Sequence, residues 1–261
     1  MPFYQSGEIR YFSFDHLTRA GVTNAIFTRK GGVSPAPWES LNLNWFNGDE
    51  PDRVRENHRR AFHAVGRDLT SVGDAHQVHG AAVFIYDQPL SETKITGKPE
   101  ADALLTHNRR VTLLMRFADC VPILLYDPRH HVAGIVHSGW RGTVQRASAA
   151  AIAKMKSHYG SKPGEILAGI GPSICVQHYE VGSEVVAEAR KTFGDHAPSL
   201  VQVNGTVKFD LWTANRQVLQ EAGVNQIEVS ELCTASDLEN WFSYRTENQK
   251  TGGFAAIVGL E

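Results

Sequence analysis

The chain has 261 residues, 42% hydrophobic and 21% charged, with a formal net charge of −2. That profile is globular, which excludes a disordered or fibrous chain, and it carries no basic excess for nucleic acid. No apolar run of about 18 residues offers a membrane span. The start lacks the basic and apolar regions of a signal peptide, and three cysteines are a poor disulfide framework, so a reducing cytoplasm is the expected setting.

In chain order, strands are expected at Arg10–Phe14 and Ala25–Thr28, where β-branched and aromatic residues cluster. A helix opens at Pro51 and runs to about Val65, with Gly66 as its stop. Val83–Tyr86 reads as a strand, and the proline-bearing stretch Gln88–Glu100 as a surface loop. Three apolar runs follow closely: Val111–Phe117, Val121–Tyr126 and Val132–His137, with Asp127-Pro128 marking a turn between the last two. An alanine-rich helix is predicted from Thr143 to His158, stopped by Gly160 and Pro163. Ile166–Ile170 is a strand. A helix capped by Ser183 ends at Gly194, and another runs from Asp210 as N-cap to Gly223. Ile227–Ser230 and Phe254–Val258 complete the strands. Helices fall irregularly among clustered strands, which favours a mixed-sheet α+β fold over a strict βαβ repeat. No internal repeat or linker divides the chain, so one domain over residues 1–261 is expected.

Several familiar chemistries are excluded by their missing motifs. There is no His-Glu-x-x-His, Walker loop, Gly-x-Ser-x-Gly, Cys-x-x-Cys or Gly-x-Gly-x-x-Gly after a strand. Three clusters remain. His76-Gln77-Val78-His79-Gly80 holds two histidines; Ala118-Asp119-Cys120-Val121-Pro122 lies between two apolar strands; His137-Ser138-Gly139-Trp140-Arg141-Gly142 joins a strand to a helix. Each alone also suits a polar loop, a packed thiol or a turn cap. Together they offer imidazole and thiolate at strand ends, the donors zinc prefers, and three protein ligands leave a fourth position open for catalysis. In the third cluster, Gly139 permits close backbone approach and Arg141 presents a planar fork for phosphate or carboxylate. Thr28-Arg29-Lys30-Gly31-Gly32 is a second basic, glycine-rich turn. Cys175 and Cys233 read as packing residues.

These clusters carry a resemblance to the YfiH-like family, long described as multicopper polyphenol oxidase or laccase-domain proteins. It extends from Thr28-Arg29-Lys30-Gly31-Gly32-Val33-Ser34 and Leu41-Asn42-Leu43 through the three clusters and Ala101-Asp102-Ala103. It continues in Gly169-Ile170-Gly171-Pro172-Ser173-Ile174, Cys233-Thr234, Phe242-Ser243-Tyr244-Arg245 and Thr251-Gly252. The resemblance implies a four-layer α/β/β/α arrangement with mixed sheets. It implies a zinc-dependent enzyme of purine nucleosides, with phosphorolysis to base and ribose 1-phosphate and deamination of adenosine. It maps the metal ligands onto His79, Cys120 and His137, and leaves His76 nearby. Arg29 or Arg141 would position phosphate, and Asp119 or His76 would move a proton. Lys30 stands where that family commonly has a histidine.

Two other chemistries compete. A four-copper oxidase needs about ten histidines, many in His-x-His pairs; this chain has 12 histidines and no such pair. Copper occupancy of the single site remains compatible with its donors. A metal-free cysteine hydrolase, including a peptidoglycan-editing one, would use Cys120 as nucleophile and His137 as base. A purely structural zinc would want a fourth protein ligand.

Overall fold

The computed structural model describes residues 3–90, 97–194 and 199–261. The first part of the chain forms β1 (Phe3–Ser6), β2 (Ile9–Phe12), α1 (Asp15–Arg19), β3 (Val22–Phe27), α2 (Pro51–Ala64) and β4 (Val72–Asp74). Then come β5 (Val83–Ile85), β6 (Ala103–Thr106), β7 (Thr112–Phe117), β8 (Val121–Asp127), β9 (Val132–Ser138), α3 (Trp140–Val144) and α4 (Ala147–Tyr159). The last part holds β10 (Leu167–Ile170), α5 (Ser183–Phe193), β11 (Leu200–Val203), β12 (Thr206–Phe209), α6 (Leu211–Glu221), β13 (Gln226–Val229) and β14 (Phe254–Leu260).

Two mixed sheets carry the fold, ordered β1-β2-β3-β14-β7-β4 and β13-β10-β8-β9-β6-β5, and β11-β12 is a separate hairpin. Alternate side chains along each central strand point to opposite faces. Leu113, Met115, Ala256 and Val258 of the first sheet meet Leu104, Leu124, Ala133 and Ile135 of the second. Their neighbours Leu114, Ala255 and Ile257 face the other way, onto Ala61 and Phe62 of α2. On the far side, Leu105, Ile123 and Val136 pack on Ile152 and Met155 of α4, with Leu219 of α6 in the same cluster. The result is the expected α/β/β/α order. Because both faces of each sheet are covered, the central strands β7, β8, β9 and β14 are buried throughout, which is why they read as unbroken apolar runs.

The expected helix over Thr143–His158 is corrected. Helix begins at Trp140 with Gly139 as its N-cap, breaks at Arg146 in the left-handed region (φ 60°), and resumes at Ala147. Thr143 is tied to Ser138 and to Asn215 of α6, whereas α4 must lie along the sheet. One straight helix cannot satisfy both. Gly182, one residue before Ser183, is the N-cap of α5. Asp210 caps α6 as expected, its carboxylate accepting the Thr213 N–H. Of the Gln88–Glu100 loop, residues 91–96 lie outside the described residues.

Candidate metal centre

The three clusters converge at one end of the second sheet. β8 and β9 are antiparallel with Pro122 opposite His137, which sets Cys120, just before β8, beside the end of β9. The link Ala118–Cys120 is also where the chain crosses from β7 in the first sheet to β8 in the second. Asp119 makes that crossing with φ 81°. Its carboxylate holds the strained turn by accepting the Thr234 hydroxyl and the Arg245 N–H, both at 2.7 Å.

The His76–Gly80 loop is fixed from two sides. The Gln77 side chain pairs with the backbone of Arg116 in β7, donating at 2.8 Å and accepting at 2.9 Å. Asp102, at the foot of β6, accepts the backbone N–H groups of Val78 (3.2 Å), His79 (3.0 Å) and Gly80 (2.6 Å). That nest holds His79 at φ 60°. The other role of Asp102 is a 2.8 Å bond to His137 Nδ1. With Nδ1–H donated to a carboxylate, His137 presents Nε2 to the site.

Donor atoms of His79, Cys120 and His137 all lie within 4.8 Å of one another. Imidazole, thiolate and imidazole, one ring oriented by a carboxylate, fit a zinc ion with an open position. Gly139 makes the closeness possible: a Cβ there would sit 2.7 Å from Cys120 Sγ and 3.6 Å from His79 Cδ2. Electrostatics in the metal-free chain agree. Burial pushes the Cys120 thiol up, but the charge and hydrogen bond of His137, with help from His79, bring it down to about 6. Burial pulls His137 down, and the Cys120 and Asp102 charges raise it to about 9. Burial likewise opposes ionisation of Asp102, yet its bonds from His137, Gly80 and Val78 hold it below the usual carboxylate range.

Two hollows flank the triad. One, of about 400 Å³, is lined by His79, Cys120, Asp119, Gly139, Trp140 and Arg141 together with Tyr179, Tyr244, Arg245, Asn248 and Gln249. The second, of about 460 Å³, places His76 with Phe46, Asn44 and Arg116 against the same metal-facing side chains. In the first hollow, burial holds the Asp119 carboxyl above its usual range.

Most of the expected site residues therefore meet, and Arg29 does not. Its guanidinium donates to the carbonyls of Glu39, Leu238 and Trp241 and to Glu247, and lies 4.4 Å over the Phe242 ring. It braces the turn behind the site and lines neither hollow at the triad. Lys30 pairs with Glu239 and faces a separate surface depression. Arg245 is a cation of the site that the residue pattern does not single out. It sits in Phe242-Ser243-Tyr244-Arg245, a segment without local metal or phosphate spacing. Asp102 lies in Ala101-Asp102-Ala103, a segment of the family resemblance, but a lone aspartate before a short strand has no periodic character that reveals its role at the site.

Residues 23–261 match the family model described as multi-copper polyphenol oxidoreductase laccase. The chain belongs to the YfiH/YlmD family of laccase-domain proteins. A curated relative from Deinococcus radiodurans, a purine nucleoside phosphorylase, is 37% identical over 92% of this chain and 89% of its own length. The Escherichia coli K12 relative, purine nucleoside phosphorylase YfiH, is 33% identical over 92% of this chain and 94% of its own length. Among solved structures, Bacillus licheniformis YfiH superposes with a TM-score of 0.92 at 29% identity, covering 100% of this chain and 99% of that one. YlmD from Geobacillus stearothermophilus gives 0.92 at 30% identity, covering 99% and 98%. Among the described residues no helix is long and apolar enough to cross a membrane.

Proposed function

We propose that the chain is a zinc-dependent enzyme of purine nucleosides that catalyses phosphorolysis to free base and ribose 1-phosphate, and deaminates adenosine to inosine. The observation that carries this reading is the shared cavity: His79 and Cys120 of the triad line a hollow that also holds two arginines, aromatic faces and side-chain amides. Its size falls in the range of small-molecule sites. The relatives' names point the same way.

His79, Cys120 and His137 would hold a zinc ion, which would supply Lewis-acid polarisation and water activation near neutral pH. The protein's own groups do the rest. Tyr179 and Tyr244 offer ring faces to a purine, and Asn248 and Gln249 offer donors and acceptors to its edge. Arg141 and Arg245 present cations to phosphate, a planar fork in each case. In phosphorolysis the glycosidic C–N bond breaks as a phosphate oxygen bonds the anomeric carbon, and the departing base takes a proton. Asp119, its carboxyl raised by burial in the wall of the hollow, is a group suited to hold that proton. His76, in the second hollow, is the alternative. In deamination, water oxygen replaces the C6 amino group and ammonia leaves; the same purine-edge contacts orient the ring.

The test is incubation of metal-analysed protein with adenosine, with and without phosphate, separating adenine, ribose 1-phosphate and inosine. His79→Ala, Cys120→Ala and His137→Ala are each expected to lose the metal of this centre and turnover while staying folded. Arg141→Ala and Arg245→Ala should raise the KM for phosphate. Full activity in any triad variant removes that residue from the site.

One observation favours a second reading. Without metal, His137 lowers the buried Cys120 thiol while Cys120 and Asp102 raise His137, a mutual bias towards a thiolate–imidazolium pair that suits a cysteine hydrolase. Chelation separates the two, because it abolishes a zinc activity and spares a thiol one.

A further inference from the structure

The fold assembles a second cluster of soft ligands from residues that read as packing cysteines in the sequence. Cys175 and His178 are three apart on the loop after β10, where the His178 N–H donates to the Cys175 carbonyl at 3.0 Å and folds the segment into a turn. Cys233 arrives from the loop after β13, brought alongside by the parallel bridge between Ser173 and Cys233. His178 Nδ1 lies 3.3 Å from Cys175 Sγ and 3.6 Å from Cys233 Sγ, and the three donors lie within 4.8 Å of one another.

Those spacings are informative. Zinc bonds of about 2.3 Å to sulfur and 2.0–2.1 Å to nitrogen, set tetrahedrally, place the donors about 3.3–3.8 Å apart. His178 Nδ1 lies within reach of both sulfurs, a convergence of three soft donors that a single cation between them would satisfy. The Cys175 backbone N–H also donates to Cys233 Sγ at 3.3 Å, which favours that sulfur as thiolate. Cys175 is buried and His178 is exposed, so the cluster has an inner wall and an open entrance.

We propose that Cys175, His178 and Cys233 form a second metal site, for zinc or a cation of similar softness, separate from the His79–Cys120–His137 centre. Its three protein ligands leave the fourth position to water at the exposed entrance, and its place lets it brace the neighbouring loops. Cys233 precedes Thr234, which holds Asp119, and Cys175 follows Ile174, which lines the catalytic hollow. A metal here would tie the Ile174 segment, which lines the hollow, to the Thr234 segment, which holds Asp119 in its wall. Thiolate and imidazole donors exclude magnesium and calcium, which take oxygen ligands.

The experiment is titration of reduced, chelator-stripped protein with Co²⁺, read by thiolate-to-cobalt charge-transfer absorption, followed by zinc displacement. Wild type is expected to bind two equivalents. His79→Ala should keep the site made by two thiolates, and zinc should raise the melting temperature of that variant. His178→Ala, a change at an exposed ring that leaves the core intact, should lose the second equivalent or weaken it at least about tenfold, since even outer ligand-orienting groups are worth that much. It should also lose zinc protection of Cys175 and Cys233 from alkylation. One equivalent in reduced wild type, or an unshifted melting temperature in zinc-treated His79→Ala, overturns the proposal. So does a His178→Ala titration identical to wild type. None of these readouts depends on nucleoside turnover.

Discussion

Replacing Asp102 by asparagine should cripple the metal centre although Asp102 touches no metal. Its Oδ2 accepts the N–H groups of Val78 and Gly80, and its Oδ1 accepts those of His79 and the His137 ring. An asparagine turns one of these oxygens into an NH2 group, so in either orientation two buried donors face another donor. Each unsatisfied group costs about 1–3 kcal/mol, giving roughly 2–6 kcal/mol spread over the His79 loop and the His137 ring. Loss of a ligand-orienting carboxylate weakens metal binding about 10–100-fold, or about 1.4–2.7 kcal/mol. The assay is zinc titration of D102N against a chromophoric chelator, with circular dichroism to show that the sheets persist. A folded D102N whose zinc affinity lies within about twofold of wild type would refute the claim that this carboxylate organises both histidines.

In chelated protein, the rate of Cys120 alkylation should reach half its maximum near pH 6, and His137→Ala should move that midpoint upward towards an ordinary thiol; an unmoved midpoint denies the ion pair. Gly139→Ala should weaken zinc binding without unravelling α3, because φ −73° suits alanine while its Cβ would crowd Cys120 Sγ at 2.7 Å; metal affinity and far-ultraviolet dichroism check both halves. Arg29→Ala should lower stability by about 2–3 kcal/mol through its lost charge-assisted bonds, leaving the phosphate KM unchanged; denaturant unfolding and kinetics measure each. His58 is buried with only its Nε2 bonded, to the Leu43 carbonyl, and burial pushes it from an ordinary 6.5 down to about 3. The unfolded chain therefore takes up a proton below pH 6.5 that the folded chain refuses until about pH 3, so stability should fall across that window. His58→Gln should flatten the slope there, as read by urea unfolding at several pH values.

Elements with a strong local period are legible in the amino-acid sequence alone. The central strands, buried on both faces, stand out as apolar runs, and α2 and α6 are framed by Pro51 and Asp210 at their starts and by glycines after their ends. Short or polar elements are not legible: β4 is three residues paired to β7, with a buried Asp74 at its end that Arg116 and Lys98 neutralise. The division of labour at the site follows the same physics. His79, Cys120 and His137 can be named from donor chemistry and resemblance, because ligand type is a property of the residue. Which arginine faces the hollow cannot, because Arg29 and Arg141 sit in similar glycine-rich turns and only their tertiary neighbours differ. Arg29 finds carbonyls and a carboxylate within reach, whereas Arg141 and Arg245 border open space. The meeting of Cys175, His178 and Cys233 is invisible in sequence for the same reason: 55 residues separate His178 from Cys233 along the chain, and only the parallel pairing of β10 with β13 closes that distance. Sequence determined the donors and the layers' apolar faces; long-range strand pairing decided which donors share a point in space.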